Sequence, residues 1–185
     1  MQRRLERFDA KLVQSGLDAL LVTGQNNIYY LTDFWGTNAT VFITKNRRLF
    51  LTDSRYTLIA KQSVHGFDTI ESKDPLKDIV KFVEVDKLET IGFDNQVSFA
   101  YYQALQAIFE GYTLSPQTNF MEELRMIKDE KELATIRKAC SISDRAFTDV
   151  LDFIKPGQTT ELQVANFLDF RMREYGASGI SFESI

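Results

Sequence analysis

Histidine, cysteine and tryptophan occur once each, as His65, Cys140 and Trp35, and proline only three times. A lone cysteine forms no intrachain disulfide and no thiolate zinc site, so a reducing, cytoplasmic setting is the default. A metal-dependent hydrolase needs several His, Asp or Glu ligands converging on one point. His65 lies in the polar turn Ser63-Val64-His65-Gly66 and reads as a surface residue. A Ser-His-Asp triad has only His65 to draw on, and no G-x-S-x-G elbow accompanies it. The phosphate-cradling pattern G-x-x-x-x-G-K-[ST] is absent too. No 18-residue apolar run exists, which excludes a membrane-spanning helix. The basic start Met1-Gln2-Arg3-Arg4-Leu5-Glu6-Arg7 has no apolar segment after it, so no secretory signal is expected. With 22 basic and 26 acidic residues the formal charge is −4, and no basic stripe points to nucleic acid.

What is present is alternating α and β patterning. Leu5, Phe8, Leu12 and Val13 recur at helical spacing and Gly16 follows as a stop. The run 17–22 reads as a short buried strand, and 26–31 as a helical turn. The β-rich runs 39–44 and 48–52 flank Lys45-Asn46-Arg47 and predict a hairpin. Asp53 is placed to cap a helix with Tyr56, Ile59 and Ala60 on one face. Residues 67–70 form a weak strand signal. Pro75 suits the first turn of a helix with Leu76, Ile79, Val80 and Val83 inward. A strand at 90–93, a helix capped by Ser98, and a last strand at 112–114 before Pro116 complete the first part. This order predicts a layered α/β domain with a mixed sheet flanked by helices. The boundary is expected between 115 and 122, giving domains 1–122 and 123–185.

The second part begins with Asp129 and Glu132, a D-x-x-E form of the capping box. Leu133, Ile136, Cys140, Phe147, Val150, Leu151 and Ile154 mark one face of a long helix ended by Pro156-Gly157. Thr160 and Gln163 form a second capping box. Leu162, Ala165, Leu168 and Met172 give the face of a second helix, closed by Gly176. Residues 179–185 read as the start of a strand. Two helices with wide apolar faces call for a sheet that this segment does not encode.

No catalytic constellation can be assembled from these residues. Glu122, Glu123, Asp129, Glu130 and Glu132 are accounted for by helix starts and solvated faces. Cys140 on an apolar helix face reads as a buried structural thiol. Arg55 in Thr52-Asp53-Ser54-Arg55-Tyr56 reads as a structural ion-pair residue. Trp35, in the turn-like segment Asp33-Phe34-Trp35-Gly36-Thr37-Asn38, either anchors its loop in the core or overhangs a ligand or partner.

Several stretches taken together resemble the Xaa-Pro peptidases: proline dipeptidase (prolidase), aminopeptidase P and creatinase. They are Asp18-Ala19-Leu20-Leu21-Val22-Thr23, Asn27-Ile28-Tyr29-Tyr30-Leu31-Thr32, Thr52-Asp53-Ser54-Arg55-Tyr56 and Leu124-Arg125-Met126-Ile127-Lys128-Asp129-Glu130. Ile136-Arg137-Lys138-Ala139, Ile154-Lys155-Pro156-Gly157 and Ser181-Phe182-Glu183-Ser184-Ile185 continue the series. Each piece is short, and their order along nearly the whole chain carries the resemblance. Bacterial proline dipeptidase and aminopeptidase P are the nearest types.

The resemblance implies a creatinase-type N-terminal domain followed by the first helices of an incomplete "pita-bread" peptidase domain. It implies two divalent metal ions (Mn, Co or Zn) in the full-length enzyme, held by two Asp, one His and two Glu. The matching positions lie downstream of Ile185, so this chain is expected to hold no metal ligand and no catalytic residue, and to be inactive alone. The implied role is dimerisation and covering of the active site in an enzyme that cleaves Xaa-Pro bonds of proline-containing peptides. Phe34, Trp35, Gly36, Thr37 and Asn38 match the substrate-covering loop. The implied partners are a second copy in a homodimer and proline-containing peptides, without nucleic acid or membrane. The alternative is a catalytically dead, peptidase-like module that binds peptides or proteins.

Overall fold

In the computed structural model, which describes residues 2–182, the chain forms two compact units, Met1–Ile127 and Lys128–Ile185. In the first, α1 (Gln2–Gln14) buries Leu5, Phe8 and Leu12. Their i, i+3, i+7 spacing puts them on one stripe. Val13 falls off that stripe and is exposed, contrary to the sequence reading. Gly16 takes a left-handed φ of 71° and turns the chain out of the helix. The order continues β1 (Ala19–Val22), α2 (Gln25–Thr32), β2 (Ala39–Thr44), β3 (Arg48–Thr52), α3 (Thr57–Ser63), β4 (Asp68–Glu71), α4 (Pro75–Val85), β5 (Thr90–Asp94), α5 (Phe99–Ile108), β6 (Thr113–Gln117) and α6 (Phe120–Met126).

The strands form one mixed six-stranded sheet in the order β4-β3-β2-β1-β5-β6. The β1–β2 and β2–β3 pairs are antiparallel and the other three are parallel. Period-two alternation divides the core between the two faces. Leu20, Val22, Val41, Ile43 and Phe50 pack against α1, α2, α3 and α6. Ala19, Leu21, Phe42, Leu49, Leu51, Ile91 and Phe93 pack against α4 and α5. A strand covered on both faces carries no polar alternation, which is why β1 reads as an unbroken apolar run.

Local polar contacts fix the turns. The Thr44 hydroxyl accepts from the backbone N–H of Asn46 and Arg47, at 3.1 and 2.9 Å, and closes the β2–β3 hairpin. The Asp18 carboxylate accepts the N–H groups of Glu89 and Thr90, at 2.9 and 3.0 Å, which sets the β1–β5 register. Those two bonds hold its pKa below the ordinary carboxylate value. Ser98 caps α5 as its position suggests, and Asp74, just before Pro75, caps α4. Asp53 does not cap α3 with its side chain; Tyr56 holds that position and Ile59 is exposed.

Two features differ from the sequence reading near the end of this unit. Strand β6 runs through Pro116 instead of stopping before it, with Pro116 opposite Phe93. An edge strand tolerates the missing N–H, because only one side of the ladder is used. Helix α6 then follows, with its last carbonyls taken by α1. Arg7 donates to the carbonyls of Leu124 at 2.9 Å and Ile127 at 3.2 Å, and Lys11 donates to that of Phe120 at 2.9 Å. The two Arg7 bonds satisfy carbonyls that the C-terminal end of α6 leaves unpaired, and all three tie α6 to α1.

The second unit holds α7 (Glu130–Phe153) and α8 (Glu161–Glu174). Both capping boxes form, at Asp129/Glu132 and Thr160/Gln163. The helices meet through stacked Phe153 and Phe167 rings, 4.2 Å apart, and through Asp149, which accepts from Arg171 at 2.6 Å and from the Tyr175 hydroxyl. The buried face of α7 is Ile142, Ala146 and Val150. Of the residues expected there, Val150 is buried, whereas Ile136, Phe147, Leu151 and Ile154 are exposed. Cys140 is exposed as well, so it is not a buried structural thiol. A single facing helix covers only one narrow stripe, and the expected face lies off it. Residues 179–182 form no strand, and the remainder of that expected strand, 183–185, lies outside the described residues.

Candidate functional site

The segment from Asp33 to Asn38 sits on a frame built by α2, β3 and the turn into α3. Helix α2 ends at Asp33, whose φ of 55° is left-handed and whose N–H reaches the Tyr29 carbonyl at 2.8 Å. The Thr32 hydroxyl donates to the Ile28 carbonyl and accepts from the Phe34 N–H. Phe34 therefore turns inward. Its ring packs edge-on against Phe50 and Tyr56, with centroids 5.0 and 5.6 Å away. Phe34, not Trp35, anchors the loop. Trp35 is 62% exposed and meets the partly exposed Tyr29 edge-on at 5.5 Å.

The rest of the segment is tied down. A Cβ on Gly36 would stand 2.4 Å from the Phe34 ring, so only glycine lets the backbone cross it there. The Gly36 carbonyl accepts from Gln25 at 3.3 Å, and the Thr37 hydroxyl lies 3.0 Å from that of Tyr56. Asn38 donates to Asp53 at 2.6 Å, while its carbonyl accepts the Thr52 hydroxyl at 2.6 Å. Asp53 is in turn paired with Arg55 at 2.7 Å. The Arg55 guanidinium, with help from Asn38, holds the Asp53 carboxyl down at about 2. Arg55 is thus a structural ion-pair residue, as its surroundings in the sequence suggest. The loop composition alone suggests flexibility; the geometry is a fixed platform that displays two aromatic rings.

The structure brings Phe34 through Asn38 together with Tyr29, Gln25, Asp53 and Tyr56, which sequence reasoning did not attach to the loop. The available signal was the Asp53-Ser54-Arg55 turn, in which the carboxylate accepts the N–H two residues on, at 2.9 Å. His65 is exposed and stands apart from this frame. Among the described residues no three His, Cys, Asp or Glu side chains come together to hold an ion. They do not fit a dinuclear centre, and no chemical step is assigned to them. No helix among the described residues is long and apolar enough to cross a membrane.

This arrangement, a two-faced mixed sheet followed by a helical segment, has known counterparts. The family of the creatinase/prolidase N-terminal domain matches residues 4–127, and metallopeptidase family M24 matches residues 134–185. The chain belongs to the creatinase/prolidase N-terminal domain family, and its relatives are Xaa-Pro peptidases. It is 35% identical to the uncharacterized peptidase YqhT of Bacillus subtilis over 184 residues, covering 98% of this chain and 52% of that protein. The crystal structure of an aminopeptidase P, an Xaa-Pro aminopeptidase from Streptococcus thermophilus, is 99% identical. It covers 68% of this chain and 98% of its own, with a TM-score of 0.67. An Xaa-Pro dipeptidase from Bacillus anthracis is 30% identical with a TM-score of 0.91, covering 98% of this chain and 51% of its own. The chain spans about half the length of the curated relatives it matches along its full extent.

Proposed function

We propose that these residues are the non-catalytic N-terminal part of a metal-dependent Xaa-Pro peptidase, with residues 1–122 as the covering domain and 123–185 opening the peptidase domain. In this reading two divalent ions are held elsewhere in the full-length enzyme, which acts in the cytoplasm on proline-containing peptides as a homodimer. The observation that carries the covering role is the Trp35–Tyr29 pair, displayed on a frame whose every loop residue is bonded or packed. Aromatic surfaces accept prolyl rings and extended proline-rich backbones, because both present flat apolar faces with little ordering entropy left to lose. The exposed apolar residues of α7 support association with a further surface.

Two measurements test this. The purified 185-residue chain, supplied with manganese, is expected to release no proline from Xaa-Pro dipeptides; metal-dependent release would overturn the non-catalytic reading. In a full-length enzyme carrying these residues, Trp35→Ala is expected to change the ratio of kcat/KM between dipeptide and longer substrates. Equal kinetics across peptide lengths would remove the covering role.

A further inference from the structure

The loop 33–38 is held from two sides. At its entry the anchors are local: left-handed Asp33 closes α2, and the Thr32 hydroxyl takes the Phe34 N–H. At its exit the anchors come from the turn 53–56, where Asp53 meets Asn38 and Tyr56 meets Thr37. Trp35 stands between the two sets and is itself largely exposed. Its ring is therefore placed by the anchors on either side and by the edge of Tyr29.

The exit side converges on one carboxylate. Asp53 Oδ1 accepts the Arg55 N–H at 2.9 Å, which shapes the turn. Its Oδ2 accepts Asn38 Nδ2 at 2.6 Å and Arg55 Nη2 at 2.7 Å. Bonds to a charged acceptor are the shorter and stronger kind. The turn so shaped presents Tyr56, whose ring meets Phe34 and whose hydroxyl meets Thr37. The Arg55 guanidinium lies over that same ring, 5.4 Å from its centroid. Contacts to Phe34, Thr37 and Asn38 thus all run through a turn built on Asp53. The β2–β3 ladder does not need this carboxylate: Ala39 pairs with Thr52, and the Thr52 hydroxyl bonds the Asn38 carbonyl. Asn38 and Arg55 are both exposed, and exposed ion pairs add little to the stability of a fold. What Asp53 chiefly supplies is the geometry of the loop.

We propose that Asp53 is a positioning residue for substrate selection: through Asn38 and the Tyr56 turn it sets how far Trp35 reaches over the substrate, and so the preference of the full-length enzyme between dipeptides and longer peptides. This rests on the covering role proposed above and adds the residue that controls it. Asp53 touches no substrate; it acts through Trp35. A loosened Trp35 holds a dipeptide less well and obstructs a longer chain less. Asn38 and Asp53 can also exchange roles. In a chain carrying both Asn38→Asp and Asp53→Asn, the amide at 53 keeps an oxygen for the Arg55 N–H and turns its NH2 towards the carboxylate at 38. The bond is rebuilt with its polarity reversed.

The test compares the full-length enzyme carrying these residues with its Trp35→Ala, Asp53→Ala, Asn38→Asp and exchanged Asn38→Asp/Asp53→Asn forms, on Xaa-Pro dipeptides and on tetrapeptides that begin with Xaa-Pro. Asp53→Ala and Asn38→Asp are each expected to lower the dipeptide-to-tetrapeptide ratio of kcat/KM by about threefold to tenfold, the size of one hydrogen bond. The change is expected in KM, with kcat held, as for a lost binding contact. The exchanged form is expected to return the ratio to that of the parent. In the 185-residue chain, acrylamide quenching of Trp35, its only tryptophan, is expected to rise in Asp53→Ala and to fall back in the exchanged form. A changed ratio in Trp35→Ala with an unchanged one in Asp53→Ala would overturn this proposal and leave the covering role standing. An unchanged ratio in Trp35→Ala would overturn both. A fall in kcat by the same factor on every substrate, with KM unmoved, would mean that Asp53 serves only the fold. Failure of the exchanged form to recover, or quenching that does not change, would overturn the proposal equally.

Discussion

The two units bury their apolar side chains very differently. In the first, strands at the centre of the sheet are covered on both faces, and Phe8, Phe42, Phe50 and Phe109 are fully buried. In the second, two helices share one seam, and among its described residues only Ile142, Ala146 and Val150 are buried, while Phe147, Leu151, Leu162 and Phe170 stay exposed. The caps of the second unit are nevertheless complete. Capping fixes where a helix begins; burial of a face supplies most of its stability. One unit has both, and the other has chiefly the first.

The sharpest way to break this contrast is to separate the units after Ile127. Residues 1–127 are expected to melt cooperatively by circular dichroism. Residues 128–185 are expected to lose most of their helical signal at room temperature, since two isolated helices with one seam do not offset their ordering entropy. A cooperative melt of the second piece at a comparable temperature would show that its seam is sufficient.

The same chemical change in each unit sharpens the contrast. Phe50→Ala empties a fully buried position between β3, Phe34 and the helices of its face, and is expected to cost about 3–5 kcal/mol. Phe147 is 60% exposed, and Phe147→Ala is expected to stay within about 0.5 kcal/mol. Urea unfolding reads the first through the fluorescence of Trp35, the only tryptophan, and the second through helical ellipticity. A loss of similar size at Phe147 would mean that α7 buries that ring in solution.

Two smaller changes probe local devices. Gly36→Ala drives a methyl into the Phe34 ring and is expected to cost about 1–3 kcal/mol, with Trp35 fluorescence altered in the folded state. Unaltered stability and emission would show that the loop shifts freely. Asp129→Ala removes half of a capping box and is expected to cost about 1 kcal/mol, read in the ellipticity of α7 alone. If the fluorescence transition of the first unit moved by as much, the cap would be acting on more than its own helix.

Most of the elements were legible because their signals are local. The bounds of β2 and β3, the caps at Ser98, Asp129 and Thr160, Pro75 in the first turn of α4, and the glycine stop at Gly16 each depend on a few adjacent residues. What was not legible depends on partners far along the chain. Pro116 reads as a strand end, and only the outermost place of β6 in the sheet makes it tolerable. Val13, Ile59 and Cys140 are spaced like core residues, yet no element of their own unit covers them. At the loop, the five residues were identifiable as a group, but which aromatic turns inward was not. Phe34 points in because Phe50 and Tyr56 converge on it from β3 and the turn before α3. The Asn27–Asp94 bond spans 67 positions, and no periodicity announces it.

The smallest expected effect separates the units by pH. Asp53 has a folded-state pKa of about 2, below its ordinary value of 3.8, because Arg55 and Asn38 bond its charged form. A depressed carboxyl contributes stability that is complete above the ordinary value and is lost as pH falls through the folded one. Between roughly pH 4 and pH 2 the hold on Asn38 should therefore weaken. Trp35, three residues before Asn38, should report this as a fluorescence step with its midpoint near the lower end of that window. Asp53→Asn removes the titrating group while keeping a polar side chain, so its profile is expected to lack the step. Helical ellipticity of α7 and α8 should follow the same acid profile in both chains, because the bonds of Asp53 among the described residues lie within its own unit. A fluorescence step of equal size and midpoint in the Asp53→Asn chain would assign it to other carboxyls, and the order of the loop would then rest on the packing of Phe34 and on the bonds of Gly36, Thr37 and the Asn38 carbonyl instead of on the Asp53 charge.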